Sequence, residues 1–248
     1  MKQKHVDYKV APNPKLRRLE AAAFRPAQHN PMIHGLLEVD VSRARAFLRE
    51  HKATTGESLS FTAFLIACLA KAIDEHKAVQ AFRKGRKRLI LFEEVDVYTL
   101  IDRDVAGQEQ PIAYIVRAAN RKTLREIHQE IRAAQVEDVA KDLKWFQFLP
   151  DFLFRLFFSV FYWIGRRYPQ VWKKFVGTVG ITAVGMFGKG AGWGIPPAMP
   201  TLMITVGGIG EKSVLVDGHI ALRDYLSLTI SFDHDMIDGA PAARFTQG

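Results

Sequence analysis

Apolar residues recur along this chain at two spacings, one of two residues and one of three to four, and their alternation predicts a mixed α/β domain. Gly35 to Val41 reads as the first strand. Ser42 stands where a cap belongs, ahead of a helix running through His51. Ser60 caps a longer helix in which Phe61, Phe64, Leu65, Cys68, Leu69, Ala72 and Ile73 share one stripe. Leu89 to Phe92, Val95 to Ile101 and Ile112 to Val116 are β-branched and aromatic, as strands are, and Thr123 to Ala134 returns to helical spacing. Thr178 to Val184 and Thr201 to Val206 are further strands, and Asp217-Gly218 inside Val214 to Leu222 marks a tight hairpin. Tyr225 to Phe232 alternates, with Leu226, Leu228, Ile230 and Phe232 on one face and Tyr225, Ser227, Thr229 and Ser231 on the other, the pattern of a half-buried strand.

Composition narrows the class of protein. A chain of 248 residues with 48% apolar residues can bury a substantial core as one domain. Residues 1–34 are polar, basic and broken by prolines, with a short helical piece from Leu16 to Phe24, and read as an arm; residues 35–248 read as the domain proper. No secretory signal is recognisable, and a single cysteine, Cys68, supports no disulfide framework, so a cytoplasmic setting is expected with Cys68 packed in its helix. The formal charge of +9 favours an anionic partner. Nucleic acid is disfavoured as that partner because no stacking pattern or recognised motif accompanies the charge. The densest basic run, Arg83-Lys-Gly-Arg-Lys-Arg88, predicts a turn between a helix and a strand that is either simply solvated or an anion contact. No metal-ligand spacing, phosphate loop or dinucleotide fingerprint is present, and no metal is expected.

The residues that carry chemistry follow the alternating strand: Ser231-Phe-Asp233-His234-Asp235-Met-Ile-Asp238-Gly239-Ala-Pro241. A histidine near its ordinary pKa can take a proton from a thiol or hydroxyl. Asp238 can cap the next helix or pair with an arginine, and Gly239 allows a close backbone approach. Read alone, one histidine among three aspartates is more often a surface loop than an active site. The segment His234-Asp-Met-Ile-Asp238-Gly239 resembles, however, the H-x-x-x-D-G signature of dihydrolipoamide acyltransferases and chloramphenicol acetyltransferases. Val39-Asp40-Val41, Ser60-Phe-Thr-Ala-Phe64, Gly185-Met-Phe-Gly188 and Leu228-Thr-Ile-Ser231 resemble words of the first family, in its order.

That resemblance implies a chloramphenicol acetyltransferase-like fold, a mixed sheet flanked by helices, in a homotrimer with an active-site channel at each subunit interface. It implies an acyltransferase in which His234 is the general base toward a thiol of dihydrolipoamide or coenzyme A. The acyl donor would be a coenzyme A thioester. The family's oxyanion serine corresponds to Thr182, which keeps the hydroxyl. Asp238 and Gly239 would shape the loop, with Gly239 and Ser231 beside the substrate. The sequence departs from the pattern at Asp235, where relatives carry arginine, and it shows no lipoyl attachment signature, so the chain either serves a lipoyl group on a separate carrier protein, uses free acyl-CoA, or stands outside the dehydrogenase complexes. The alternatives are an acyl-CoA-dependent O-acyltransferase of the chloramphenicol type and a non-catalytic assembly or membrane-surface protein.

An apolar insertion, Trp145 to Tyr168, stands where relatives have a shorter and more polar connection. A helix from Phe152 to Ile164 would extend about 20 Å, too short to span a bilayer. Burial in an assembly, contact with a membrane surface through residues 145–174, and lining of a long acyl channel are its three readings.

Overall fold

The computed structural model describes residues 9–28, 30–85, 87–105, 108–136, 150–184, 190–197 and 201–247. The expected mixed sheet is present. Among the described residues six strands lie in the order β1 (Met32–Asp40), β8 (His219–Asp233), β7 (Leu202–Val216), β6 (Val179–Ala183), β4 (Val97–Val105) and β5 (Gln108–Val116). The central β4–β6–β7 pairings are parallel and the outer ones antiparallel. A separate hairpin, β2 (Phe82–Lys84) with β3 (Arg88–Ile90), holds the basic run, so the turn expected there lies between two short strands.

Among the described residues the α-helices are α1 (Lys15–Phe24), α2 (Ser42–Thr55), α3 (Phe61–Glu75), α4 (Leu124–Val136), α5 (Asp151–Arg167), α6 (Pro169–Val176) and α7 (Gly239–Gln247). The Ser60 hydroxyl caps α3 by accepting from Ala63 N–H, while Ser60 N–H donates to Nδ1 of the buried His128 on α4. Ser42 is the first residue of α2 rather than its cap, because Asp40 Oδ1 receives the Ser42 N–H at 2.9 Å. Cys68 is also corrected: it lies on the exposed side of α3, since the buried stripe is Ala63, Ile66, Ala70 and Ile73, one residue off the expected register.

That stripe packs with Ile127 and Ile131 of α4 and Phe245 of α7 over one face of the sheet, against Val97, Val179, Ile181, Ile204, Ile230 and Phe232. Partners directly opposite in register share a face. The other face therefore carries Thr182 on β6, Thr205 on β7 and Thr229 on β8 in one cross-strand row, with Ser231 and His34 one step along. β8 is not half-buried as its alternation suggests: Ser227, Thr229 and Ser231 are all at most 1% exposed. The 190–193 segment lies over part of this face. Gly192 N–H donates to Ser227 Oγ, and the Trp193 indole N–H donates to Leu37 O at 2.9 Å. Its approach depends on Gly207 and Gly208, where a Cβ would fall about 2.0 Å from Gly192 O and 1.9 Å from Gly190 O.

Candidate active site

The long hairpin β7–β8 turns on Asp217 and Gly218, both with positive φ, and delivers Asp233 and His234 at the far end of β8. His234 N–H donates to Pro31 O at 2.7 Å, which ties the loop to the residue entering β1, and the side chain points out at the surface. Its imidazole has no hydrogen bond among the described residues. Asp233 is held above the usual carboxylate range by burial, opposed in part by the Asp235 N–H that it accepts at 3.0 Å. Asp235, in the place of the family's arginine, is met by an arginine from outside the loop. Arg83 donates to Asp235 O at 3.0 Å and lies 3.6 Å from its carboxylate.

Asp238 takes the cap position of α7 through its carbonyl, which accepts from Ala242 at 3.1 Å; its carboxylate has no arginine partner among the described residues. A Cβ at Gly239 would meet nothing within 4 Å, so a close approach there is not supplied by this chain. Ser231 is buried, and its hydroxyl lies 2.8 Å from His34 Nδ1. His34 escaped the sequence reading because only the β1–β8 register brings a residue 197 positions away to Ser231. The expected Gly185 to Gly188 word lies outside the described residues.

Thr182 lies elsewhere. With Thr205 it lines an otherwise apolar pocket of about 200 Å³, walled by Tyr98, Leu100, Val184, Ile195 and Met203. Thr205 Oγ1 is buried without a hydrogen-bond partner among the described residues. Five residues along β8 and two strands across separate this row from His234, about 15–20 Å at ordinary strand spacings. His234 and Thr182 of one chain are therefore too far apart to touch the same small group. A larger cavity, of about 340 Å³, flanks the His234 loop instead. Phe82, Arg83, Tyr162, Arg166, Trp172 and Asp233 are among its lining residues, so α5 and α6 form one wall of the loop's surroundings.

Residues 5–148 and 175–248 match the family described as 2-oxoacid dehydrogenases acyltransferase (catalytic domain). The chain is 25% identical over 220 residues to the lipoamide acyltransferase component of the branched-chain alpha-keto acid dehydrogenase complex of Bacillus subtilis, covering 85% of this chain and 43% of that protein. It is 26% identical over 236 residues to the dihydrolipoyllysine-residue succinyltransferase component of the 2-oxoglutarate dehydrogenase complex of Bartonella vinsonii, covering 93% and 50%. The chain thus spans about half the length of the curated relatives it matches. Among solved structures, a probable dihydrolipoamide acetyltransferase of Listeria monocytogenes superposes with TM-score 0.69 at 23% identity, covering 97% of this chain and 92% of the other. The Azotobacter vinelandii dihydrolipoamide acetyltransferase gives 0.68 at 20%, covering 99% and 90%. In that enzyme a serine, a histidine and an asparagine four residues after the histidine were investigated for their roles in catalysis. A chloramphenicol acetyltransferase gives 0.51 at 15% identity, covering 95% and 93%, and shares the fold.

Proposed function

This chain belongs to the 2-oxoacid dehydrogenase acyltransferase family, and from that premise we propose that it transfers an acyl group between coenzyme A and a thiol acceptor of the dihydrolipoyl type. The observation that carries the proposal is the Thr182–Thr205 pair in an apolar pocket. A hydroxyl donor between apolar walls suits an acyl thioester, whose carbonyl gains charge on attack. Thr205, buried and unpartnered, supplies a second hydroxyl on the same face.

In the proposed reaction His234 removes the proton of the attacking thiol, and the thiolate adds to the acyl carbonyl. Thr182 Oγ–H donates to the resulting oxyanion. The intermediate collapses with cleavage of the original carbon–sulfur bond, and the proton held by His234 passes to the departing thiolate. Asp238, four residues after the histidine like the asparagine investigated in the Azotobacter enzyme, shapes the loop that presents His234. Ser231 acts from below the substrate through its contact with His34, and Gly239 leaves room for a partner or substrate at the loop.

Because His234 and Thr182 lie far apart in one chain, the working site takes each from a different copy, in a trimer that acts in the cytoplasm. Its acceptor is a lipoylated carrier or free dihydrolipoamide. The test is thiol release from acetyl-CoA and longer acyl-CoAs, with dihydrolipoamide as one acceptor and small alcohols as others, beside His234→Ala. Turnover with the thiol that vanishes in the variant supports the reading. Turnover with alcohols only assigns an O-acyltransferase, and turnover that survives in the variant removes His234 from the mechanism.

A further inference from the structure

Helix α5 lies in the stretch 149–174 that the family match leaves out. Its inner side is accounted for. Phe154 is buried, Gly165 lies against the Trp172 ring of α6 with no room for a Cβ, and Tyr162 donates to Asn30 Oδ1 at 2.7 Å. Its outer side is apolar where a surface helix is ordinarily polar. Phe152, Leu156, Val160 and Trp163 recur at helical spacing along it. Phe157 and, from α6, Phe175 adjoin them, and every one of these except Val160 is more than half exposed.

The edges of this face are cationic. Arg155, Arg166, Arg167 and Lys174 are exposed, with Arg166 over the Tyr162 ring, Arg167 over Tyr168 and Lys174 over Phe175. Arg166, Arg167 and Lys174 make no ion pair among the described residues. The one carboxylate of α5, Asp151, is held by Arg18 at 2.9 Å. A second copy docking through the same face would set like charges against each other. An anionic lipid surface presents the complement: phosphates for the cationic rim and acyl chains for the aromatic centre. No described helix is long and apolar enough to cross a membrane, and at 17 residues α5 reaches only about 25 Å.

We propose that the outer face of α5, extended by Phe175, is a membrane-docking surface that lies in the plane of an anionic bilayer with Phe152, Leu156 and Trp163 among the upper acyl carbons. Docking is independent of the acyl-transfer reading, and the His234→Ala chain is expected to dock as well as the unaltered one.

The experiment is flotation of the full chain with vesicles of phosphatidylcholine, alone or with about a third phosphatidylglycerol. The chain is expected to float with the anionic vesicles, weakly with the neutral ones, and less as salt is raised. Leu156→Glu with Trp163→Glu should cut binding at least tenfold while far-ultraviolet circular dichroism stays unchanged, and Phe47→Glu on α2 should leave binding intact. Should the double variant fail to fold, fluorescence quenching by brominated acyl chains in the unaltered chain replaces it, with the loss of that quenching in Trp163→Phe as the assignment. Failure to float with anionic vesicles, undiminished binding by the folded double variant, or absence of Trp163-dependent quenching overturns the proposal. So does a fall in oligomeric size caused by the double change, which would give this face to another copy.

Discussion

His234 is fixed by its backbone, and its ring has no hydrogen bond among the described residues, an arrangement that lets the imidazole meet a substrate or a neighbouring copy. His234→Ala is expected to lower turnover by about 10²–10⁴, the range for a lost general base, with an unchanged melting temperature. Thr182→Val should lose about 10²–10³ in turnover while Thr182→Ser keeps most of it, because only the hydroxyl is needed at an oxyanion. Steady-state kinetics on the three variants separates these roles; a Val variant as active as the Ser variant would remove Thr182 from the chemistry. Arg83 offsets the negative charge that Asp235 brings to the loop. Both side chains are nearly half exposed, so their pairing adds at most about 1 kcal/mol to stability, and Arg83→Ala is expected to lower turnover more than it lowers the denaturation midpoint.

The elements around the site are joined by a buried charge just before β4. Asp96 is 2% exposed and lies 2.8 Å from Arg117 and 3.0 Å from Lys173. Burial pushes its carboxyl up, but the Ala118 N–H, Arg117 and Lys173 together outweigh burial and hold it below the usual range. Arg117 also donates to the carbonyls of Lys173 and Lys174, closing the C-terminal turn of α6. Asp96→Asn should therefore cost about 2–3 kcal/mol, somewhat under the loss for a wholly buried pair because Arg117 is 45% exposed. The sign of the pH dependence follows from the lowered pKa. The carboxylate's contribution is complete above the unfolded value of about 3.9 and is lost as pH falls through the folded one. Urea titrations should show the gap between wild type and Asp96→Asn constant near neutrality and narrowing in acid; a gap that widens in acid would contradict it.

At the scale of the whole molecule, the proposed roles of His234 and Thr182, which lie far apart in one chain, make the proposed activity a property of an assembly. Chains carrying His234→Ala or Thr182→Ala alone should be inactive. A mixture unfolded and refolded together should regain activity, about a quarter of the wild-type value if copies combine at random and each site draws one residue from each of two copies. No recovery in mixed oligomers would mean that one chain supplies both residues after a rearrangement.

The sequence by itself determined most of the strand and helix order, with β2 and α6 unread, and also the Asp217-Gly218 hairpin and the polar loop at the end of β8, because each depends on local spacing or turn chemistry. It also marked His234, Asp238 and Gly239 through a motif, and Thr182 through its offset from Gly185. Tertiary structure alone decided what lies opposite what. The same alternation in Tyr225 to Phe232 serves a solvated face or a buried one, and here the polar side is covered, in part by the 190–193 segment passing over Gly207 and Gly208. Cys68 came out of the core through a shift of one residue in the buried stripe of α3, a difference that an apolar helix nearly all round does not encode. Pairings such as Arg83 with Asp235, Ser231 with His34 and Asp96 with Lys173 join residues far apart in the chain, and no local pattern specifies them. Periodicity tells which side chains are apolar, but the packing of distant segments fixes which of them meet water, one another or a partner.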